Sequence, residues 1–99
     1  MSQADVLVRE DEYVIKVRGD SPVQQIARSI RIAVFQQHKM PVIRAVGAGA
    51  VNQACKGIAV SRGYVATQGF DLGVNIGFAN VTSDSGDEIV SMSFLLFLR

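Results

Sequence analysis

The spacing of apolar residues along this chain alternates between the period of a strand and the period of a helix, and this order restricts the fold most. The run YVIKVR at 13–18 alternates apolar with polar residues, which predicts a strand with one polar face. A stripe with helical spacing follows, made of Val23, Ile26, Ala27, Ile30, Ala33 and Val34. Because Ser21 is a favourable N-cap and Pro22 suits the first helical position, we expect a helix from there to about His38, before Pro41.

The order strand-helix is repeated once and is followed by two strands. PVIRAVG at 41–47 predicts the second strand, and the following helix has Val51, Ala54, Cys55 and Ile58 on its apolar stripe. We expect that helix to end at Gly63, because glycine easily adopts the left-handed cap conformation. The runs 71–81 and 89–99 predict two strands joined by the turn SDSGDE.

This order predicts an α/β fold of the type β-α-β-α-β-β. Right-handed crossovers would place both helices on one face of a four-stranded mixed sheet, giving a two-layer sandwich. A chain of 99 residues with 48% hydrophobic residues is the size of one ordinary core, so we expect residues 13–99 to form a single domain. Residues 1–12 are expected to be a tail, in which VLV at 6–8 could pair at a sheet edge.

Composition argues against several classes of protein. The sequence contains no run of 18 apolar residues, and MSQADVLVREDE at 1–12 lacks the pattern of a secretion signal, so we expect a cytoplasmic protein without a membrane partner. The sequence has a single cysteine, Cys55, and a single histidine, His38, which are too few for an internal disulfide or a zinc site. We therefore expect no metal and no cofactor. Because Cys55 lies on the apolar stripe of the second helix, we predict a buried thiol rather than a nucleophile.

The chain has no pattern typical of catalysis. Its carboxylates are concentrated in residues 1–12 and in the turn 83–88, where solvation is their ordinary role. A Ser-His-Asp set and a phosphate-binding loop are both missing from the sequence. We therefore expect a protein that is not an enzyme and has no small-molecule substrate.

Charge is distributed unevenly, although the formal net charge is only +1. Residues 13–62 have a single acidic residue, Asp20, against Lys16, Arg18, Arg28, Arg31, Lys39, Arg44, Lys56 and Arg62. The segments on either side are acidic. A basic middle of this kind can attract a polyanion, and scattered solvated side chains are the alternative interpretation.

Several of these basic residues are expected to lie together. Lys16, Arg18 and Arg44 lie on the first two strands, which are neighbours after a standard crossover. The outward side of the first helix has Arg28 and Arg31, and the full set of candidate nucleic-acid-binding residues is Lys16, Arg18, Arg28, Arg31, Arg44 and Lys56. Ile32 and Phe35 share that outward side, and we interpret them as a dimer interface in preference to a base-stacking surface.

Gly47-Ala48-Gly49 has three interpretations. Glycines before a helix expose backbone N–H groups at its positive end, which suits an anion, although the Lys-Ser/Thr of a P-loop is missing. The second interpretation is structural: Ala54, Gly57, Ala59 and Ser61 continue the run of small residues and would let this helix pack unusually close to its neighbours. The third combines both. We favour the structural one and expect a tight turn at Gly49.

The run IRAVGAGAVNQACKGIAVSRGYVATQGFDL at 43–72, preceded by VRGDSPVQQIA, is similar to the stage V sporulation protein S family of small bacterial proteins. That family resembles Alba-type chromatin proteins, whose fold is shared with the C-terminal domain of translation initiation factor three and binds DNA or RNA. The resemblance implies an Alba-like domain, dimers, and a nucleic-acid surface around the first strand-helix loop and the second strand. These positions fall on Arg18-Gly19-Asp20-Ser21 and on Arg44.

This chain departs from the Alba pattern at two places. Asp20 lies beside Arg18 in a loop that is basic in Alba proteins. The hairpin, a basic arm in Alba proteins, has Asp84, Asp87 and Glu88, which would repel phosphate.

Two functions are compatible with the sequence. The first is a dimeric nucleic-acid-binding regulator that contacts the phosphate backbone with little base specificity. The alternative is a protein-interaction or assembly module, in which the small-residue helix and the face with Gly73 and Gly77 make contacts and the basic surface binds an acidic partner. The basic middle of the chain and the resemblance favour the first.

Overall fold

The part of this computed structural model that is described, residues 13–99, has the predicted order of strands and helices. The elements are β1 (Tyr13–Val17), α1 (Val23–Arg31), a π-helical segment (Ile32–Gln36), β2 (Pro41–Ala45), α2 (Ala48–Thr67), β3 (Leu72–Thr82) and β4 (Glu88–Leu98). The expected tail at 1–12, with its run VLV, lies outside the described residues.

The four strands form one mixed sheet in the order β1-β2-β4-β3. β1 and β2 are parallel, with Lys16 opposite Arg44, and β4 is antiparallel to both of its neighbours. The last strand is therefore inserted between β2 and β3, and the long β3–β4 hairpin completes the sheet. The predicted α/β fold with a four-stranded mixed sheet is confirmed.

One face of the sheet forms the core. Ile15, Ile43 and Phe94 lie side by side in the register of β1, β2 and β4 and are 9%, 0% and 2% exposed. Residues of both helices join the same apolar cluster, among them Ile30 and Ala54. Both helices therefore cover this face, and Lys16 and Arg44, which alternate with Ile15 and Ile43 along their strands, lie on the opposite face.

The first helix differs from its prediction at both ends. Pro22 is the N-cap, without a side-chain hydrogen bond, whereas the hydroxyl of Ser21 accepts a hydrogen bond of 2.8 Å from the backbone N–H of Arg18. Ser21 therefore closes the preceding loop instead of capping α1. At the other end the helix continues as the π-helical segment, and His38 follows it with a φ of 53°.

The second helix is longer than predicted, because α2 continues past Gly63 to Thr67 and the following turn uses Gly69 with a φ of 88°. Glycine within a helix costs about 1 kcal/mol relative to alanine. Burial outweighs that cost here, since Val65 lies in the next turn and is 0% exposed. The expectation that the helix ends at Gly63 is wrong.

Small residues bring the two helices together. A Cβ on Gly57 would clash with the side chain of Ile26. Ala54 and Ser61 are fully buried, and the Ser61 hydroxyl donates a hydrogen bond of 2.9 Å to the carbonyl of Gly57. Close helix packing through these residues is confirmed, although Ala59 is exposed. The prediction for Cys55 is wrong, because its side chain is exposed.

Candidate functional site

A groove of about 330 Å³ lies where β1 and β2 end, beside the turn end of the hairpin. We call it the strand-end groove, and its lining residues are Lys16, Val17, Arg18, Gly19, Arg44, Val46, Val81, Thr82 and Ser91. Three of the predicted nucleic-acid-binding residues, Lys16, Arg18 and Arg44, therefore lie together. None of the described residues that line the groove is acidic.

The charges in the strand-end groove are incompletely satisfied. Lys16 and Arg44 occupy paired positions on adjacent strands, where like charges repel. The Nε of Arg44 is buried and has no hydrogen-bond partner among the described residues. Within residues 13–99 the ion pairs are Arg62–Asp71 and Arg99–Asp71, so none of the three groove cations is neutralised there. An anion in the groove would relieve the repulsion and supply an acceptor for Arg44.

The loop after β1 is held against the start of α2. Arg18 and Ser21 close the loop with a second hydrogen bond, from the backbone N–H of Ser21 to the carbonyl of Arg18 at 3.1 Å. Gln53 of α2 donates a side-chain hydrogen bond of 2.8 Å to the carbonyl of Ser21. A Cβ on Gly49 would lie 3.5 Å from the Cα of Gly19. The basic loop and the turn Gly47-Ala48-Gly49 are therefore neighbours.

The turn at the start of α2 exposes backbone donors. Gly47 is the N-cap, with a φ of 89° and a ψ of 160°, and makes no side-chain cap hydrogen bond. The first turn of this 20-residue helix has no acidic residue. Its positive end is thus available to an anion bound beside Arg18. The expectation of a tight turn at Gly49 is corrected, because the positive φ belongs to Gly47 and a Cβ on Gly49 would make only ordinary contact.

A second basic surface lies on the helical layer. A cleft of about 340 Å³, which we call the helix-face cleft, is lined by Arg28, Arg31, Ile32, Phe35, Gln36 and Tyr64. Phe35 is half-buried and packs edge-on against Tyr64, with ring centroids 5.8 Å apart. It is therefore not the exposed aromatic that the helical period predicts, and half-buried Ile32 is not fully exposed either. Tyr64 is not among the site residues that the sequence predicts, because the sequence places the end of α2 at Gly63.

The predicted basic residues thus fall into two groups on opposite layers. Lys16, Arg18 and Arg44 belong to the strand-end groove, whereas Arg28 and Arg31 belong to the helix-face cleft. Lys56 is exposed on α2 and lines neither. The groove and the cleft share no lining residue.

The hairpin turn places carboxylates next to the strand-end groove. Thr82, which lines the groove, pairs with Glu88 across the hairpin, and Asp84 and Asp87 lie in the turn between them. The turn is ordered by hydrogen bonds, including one of 2.8 Å from the backbone N–H of Ser83 to the carbonyl of Asp87. The acidic turn borders the groove on one side.

An apolar stripe on the hairpin is uncovered. Ile76, Phe78 and Val90 lie on the same side of the hairpin as the buried Phe94 and Leu96, yet they are 59%, 78% and 60% exposed. We call these three residues the hairpin stripe. The sequence predicts their common apolar face but not that the helices leave this part of it uncovered.

No group of three His, Cys, Asp or Glu side chains within residues 13–99 is placed to hold a metal ion. Neither described helix is long and apolar enough to span a membrane.

Comparisons with known proteins agree with this architecture. The model of the family described as Stage V sporulation protein S matches residues 13–99. Among solved structures, Alba from Thermoplasma volcanium is similar, with a TM-score of 0.55, 15% sequence identity, and coverage of 84% of this chain and 96% of that chain. At this identity the likeness shows an Alba-like fold and nothing beyond it.

Proposed function

This chain belongs to the Stage V sporulation protein S family, and we propose that it is a non-enzymatic, cytoplasmic nucleic-acid-binding regulator with an Alba-like fold. The strand-end groove contacts the phosphate backbone through Lys16, Arg18 and Arg44. The observation that carries the proposal is Arg44, which lies directly opposite Lys16 and whose Nε is buried without an acceptor among residues 13–99. A phosphate bound by the Arg44 guanidinium neutralises this like-charged pair.

The groove suits the backbone of a nucleic acid better than its bases. Among the described residues, its other walls are aliphatic, backbone or hydroxyl groups, including Val46, Val81 and Gly19, and none is an aromatic ring. Phosphate contacts position a nucleic acid without reading its sequence. We therefore expect binding with little preference for base sequence, assisted by the first turn of α2 beside Arg18.

The salt dependence of binding tests the proposal. With about three phosphate contacts per chain, affinity should fall roughly 40-fold between about 50 and 200 mM salt. Fluorescence anisotropy with labelled duplex DNA, single-stranded DNA and RNA measures this fall and ranks the three. Lys16→Glu with Arg44→Glu should abolish the binding of duplex DNA while the circular dichroism spectrum is unchanged.

Lys56→Glu is the matched control, because it makes the same change of charge on exposed α2 outside both cavities. It should change the slope of the logarithm of affinity against the logarithm of salt concentration by less than about half a unit. If the wild type binds none of the three nucleic acids at about 50 mM salt, the proposal fails. Capture of a purified acidic protein through Arg44 would then favour the alternative, an interaction module with an acidic partner.

The proposal includes a homodimer. The hairpin stripe supports it better than Ile32 and Phe35, because those two side chains are half-buried within their own chain while Phe78 is 78% exposed. Contiguous exposed apolar residues on a small domain are typical of an interface.

A further inference from the structure

The helix-face cleft combines guanidinium and aromatic groups. One wall has Arg28 and Arg31, three residues apart on α1 and hence on one side of it. The opposite wall is Tyr64 of α2, whose side chain is 41% exposed, and Phe35 supports that ring edge-on. Gln36 adds an amide at the end of the cleft.

Within the described part of the chain, acidic groups do not match the charges of the cleft. No carboxylate of residues 13–99 lines it, and in this range neither Arg28 nor Arg31 takes part in an ion pair. The guanidinium carbon of Arg31 lies 5.1 Å from the centroid of the Tyr64 ring, where a cation–π interaction holds it. An anionic ligand with a flat ring could take the place of each partner in that contact, because its anion would bind Arg31 and its ring would stack on Tyr64.

The backbone supports the same conclusion independently. The cleft is built on the π-helical segment Ile32–Gln36, in which the N–H of Gln37 donates to the carbonyl of Ile32 at 2.9 Å. Three lining residues, Ile32, Phe35 and Gln36, belong to it. π-Helical turns are rare and occur often at functional sites.

We propose that the helix-face cleft binds one nucleotide, with its phosphate between Arg28 and Arg31 and its base stacked on Tyr64. On binding, the Arg31 guanidinium leaves the ring for the phosphate and the base takes its place. A volume of about 340 Å³ is at the lower end for small-ligand pockets and suits one nucleotide. The nucleotide is either free or one unit of a single strand, because both present the same phosphate and base.

This inference does not depend on the strand-end groove. The groove lies at the end of the sheet and the cleft on the helical layer, and they share no lining residue. Lys16→Glu with Arg44→Glu should therefore leave nucleotide binding unchanged. Loss of one activity with retention of the other distinguishes failure of this inference from failure of the proposed function.

The test titrates the ¹⁵N-labelled full chain with AMP, adenosine and inorganic phosphate, and follows backbone amide shifts. AMP should bind saturably, with shifts confined to α1, the π-helical segment and the α2 residues around Tyr64. Adenosine and phosphate alone should each bind at least about tenfold more weakly, because each lacks one half of the contact. A short adenine oligonucleotide in a parallel titration separates the two sources: an affinity above that of AMP indicates a strand unit, and equal affinity a free nucleotide.

Variants locate the site. Arg28→Gln and Arg31→Gln should each weaken AMP binding about tenfold, and Tyr64→Ala similarly, whereas Tyr64→Phe should retain it because the ring face is preserved. Lys56→Gln is the matched control. The two arginine variants keep the test decisive if Tyr64→Ala is unstable. Four outcomes would each overturn the inference. Two concern affinity: phosphate binds as tightly as AMP, or Arg31→Gln binds AMP as tightly as the wild type. The others are that AMP binding fails to saturate by roughly 10 mM, or that the protein self-associates through the cleft as its concentration rises.

Discussion

Gly47 is the residue at which the backbone conformation itself demands glycine. Its φ of 89° and ψ of 160° lie in a region that is almost closed to residues with a Cβ. We predict that Gly47→Ala lowers the free energy of unfolding by about 1–3 kcal/mol, measured by urea denaturation. Gly49→Ala is the control: its Cβ meets only ordinary contact inside a helix, so it should be neutral or stabilising by up to about 1 kcal/mol. Equal stability of Gly47→Ala and the wild type would contradict this account of the turn.

At the scale of elements, Asp71 ties the start of β3 to the end of β4. Its backbone exchanges hydrogen bonds of 2.8 and 2.9 Å with Arg99, and its carboxylate pairs with the Arg99 and Arg62 side chains at 3.0 and 3.4 Å. The hydrogen bond from Arg99, helped by the charge of Arg62, lowers the pKa of Asp71 against a smaller opposing effect of burial.

The pH dependence of stability follows from that direction. Because the folded pKa is below the unfolded one, the contribution of Asp71 is fully present above the unfolded pKa and is lost as pH falls through the folded pKa. Asp71→Asn should therefore be less stable than the wild type near neutral pH and should approach it at acid pH, in urea denaturation at several pH values. Asp84→Asn removes a carboxylate without these partners and should leave the profile unchanged. A constant difference at every pH would show that the charge of Asp71 plays no part.

The hairpin turn is the second element whose charge can be tested. Asp84, Asp87 and Glu88 lie next to the strand-end groove and repel phosphate. Changing all three to Lys should tighten nucleic-acid binding about tenfold at low salt and steepen the salt slope, measured by anisotropy. Changing Asp84 and Asp87 to Asn and Glu88 to Gln removes the repulsion without adding positive charge. This variant should show part of the gain in affinity, with the same salt dependence as the wild type. Weaker binding of the Lys variant would mean that the nucleic acid does not approach the groove from this side.

At the scale of the whole molecule, residues 13–99 include three exposed surfaces of different chemistry. The strand-end groove is cationic, the helix-face cleft is cationic and aromatic, and the hairpin stripe is apolar. If the stripe joins two copies, each dimer presents two grooves and two clefts, so one nucleic acid can be bound at two points.

Self-association through the stripe gives the prediction at this scale. Phe78→Asp should raise the dimer dissociation constant by at least about tenfold, measured by sedimentation at micromolar concentration, because a charge cannot be buried there without a partner. Phe70→Asp makes the same substitution at a phenylalanine that is 47% exposed outside the stripe, and it should leave association unchanged. A wild type that is monomeric throughout this range would remove the dimer from the proposal.

The sequence alone determined the order of the elements and the placement of Lys16 and Arg44 on neighbouring strands. The spacing of apolar residues shows which side chains each strand and helix must bury. Because side chains alternate between the two faces of a strand, Lys16 and Arg44 lie on the face opposite the core. Local patterns also indicated the close packing at Gly57. These features depend on neighbours along the chain or on one standard crossover.

Tertiary structure decided the rest. α2 continues past Gly63 because Val65 is buried against the core, and this extension brings Tyr64 to Phe35 and Arg31 to form the helix-face cleft. Cys55 is exposed because the stripe of α2 that faces the core is narrower than its apolar residues suggest. Phe78 is 78% exposed because no side chain of residues 13–99 covers this part of the hairpin. In each case, whether burial offsets a local preference depends on residues distant in sequence, which no local period encodes.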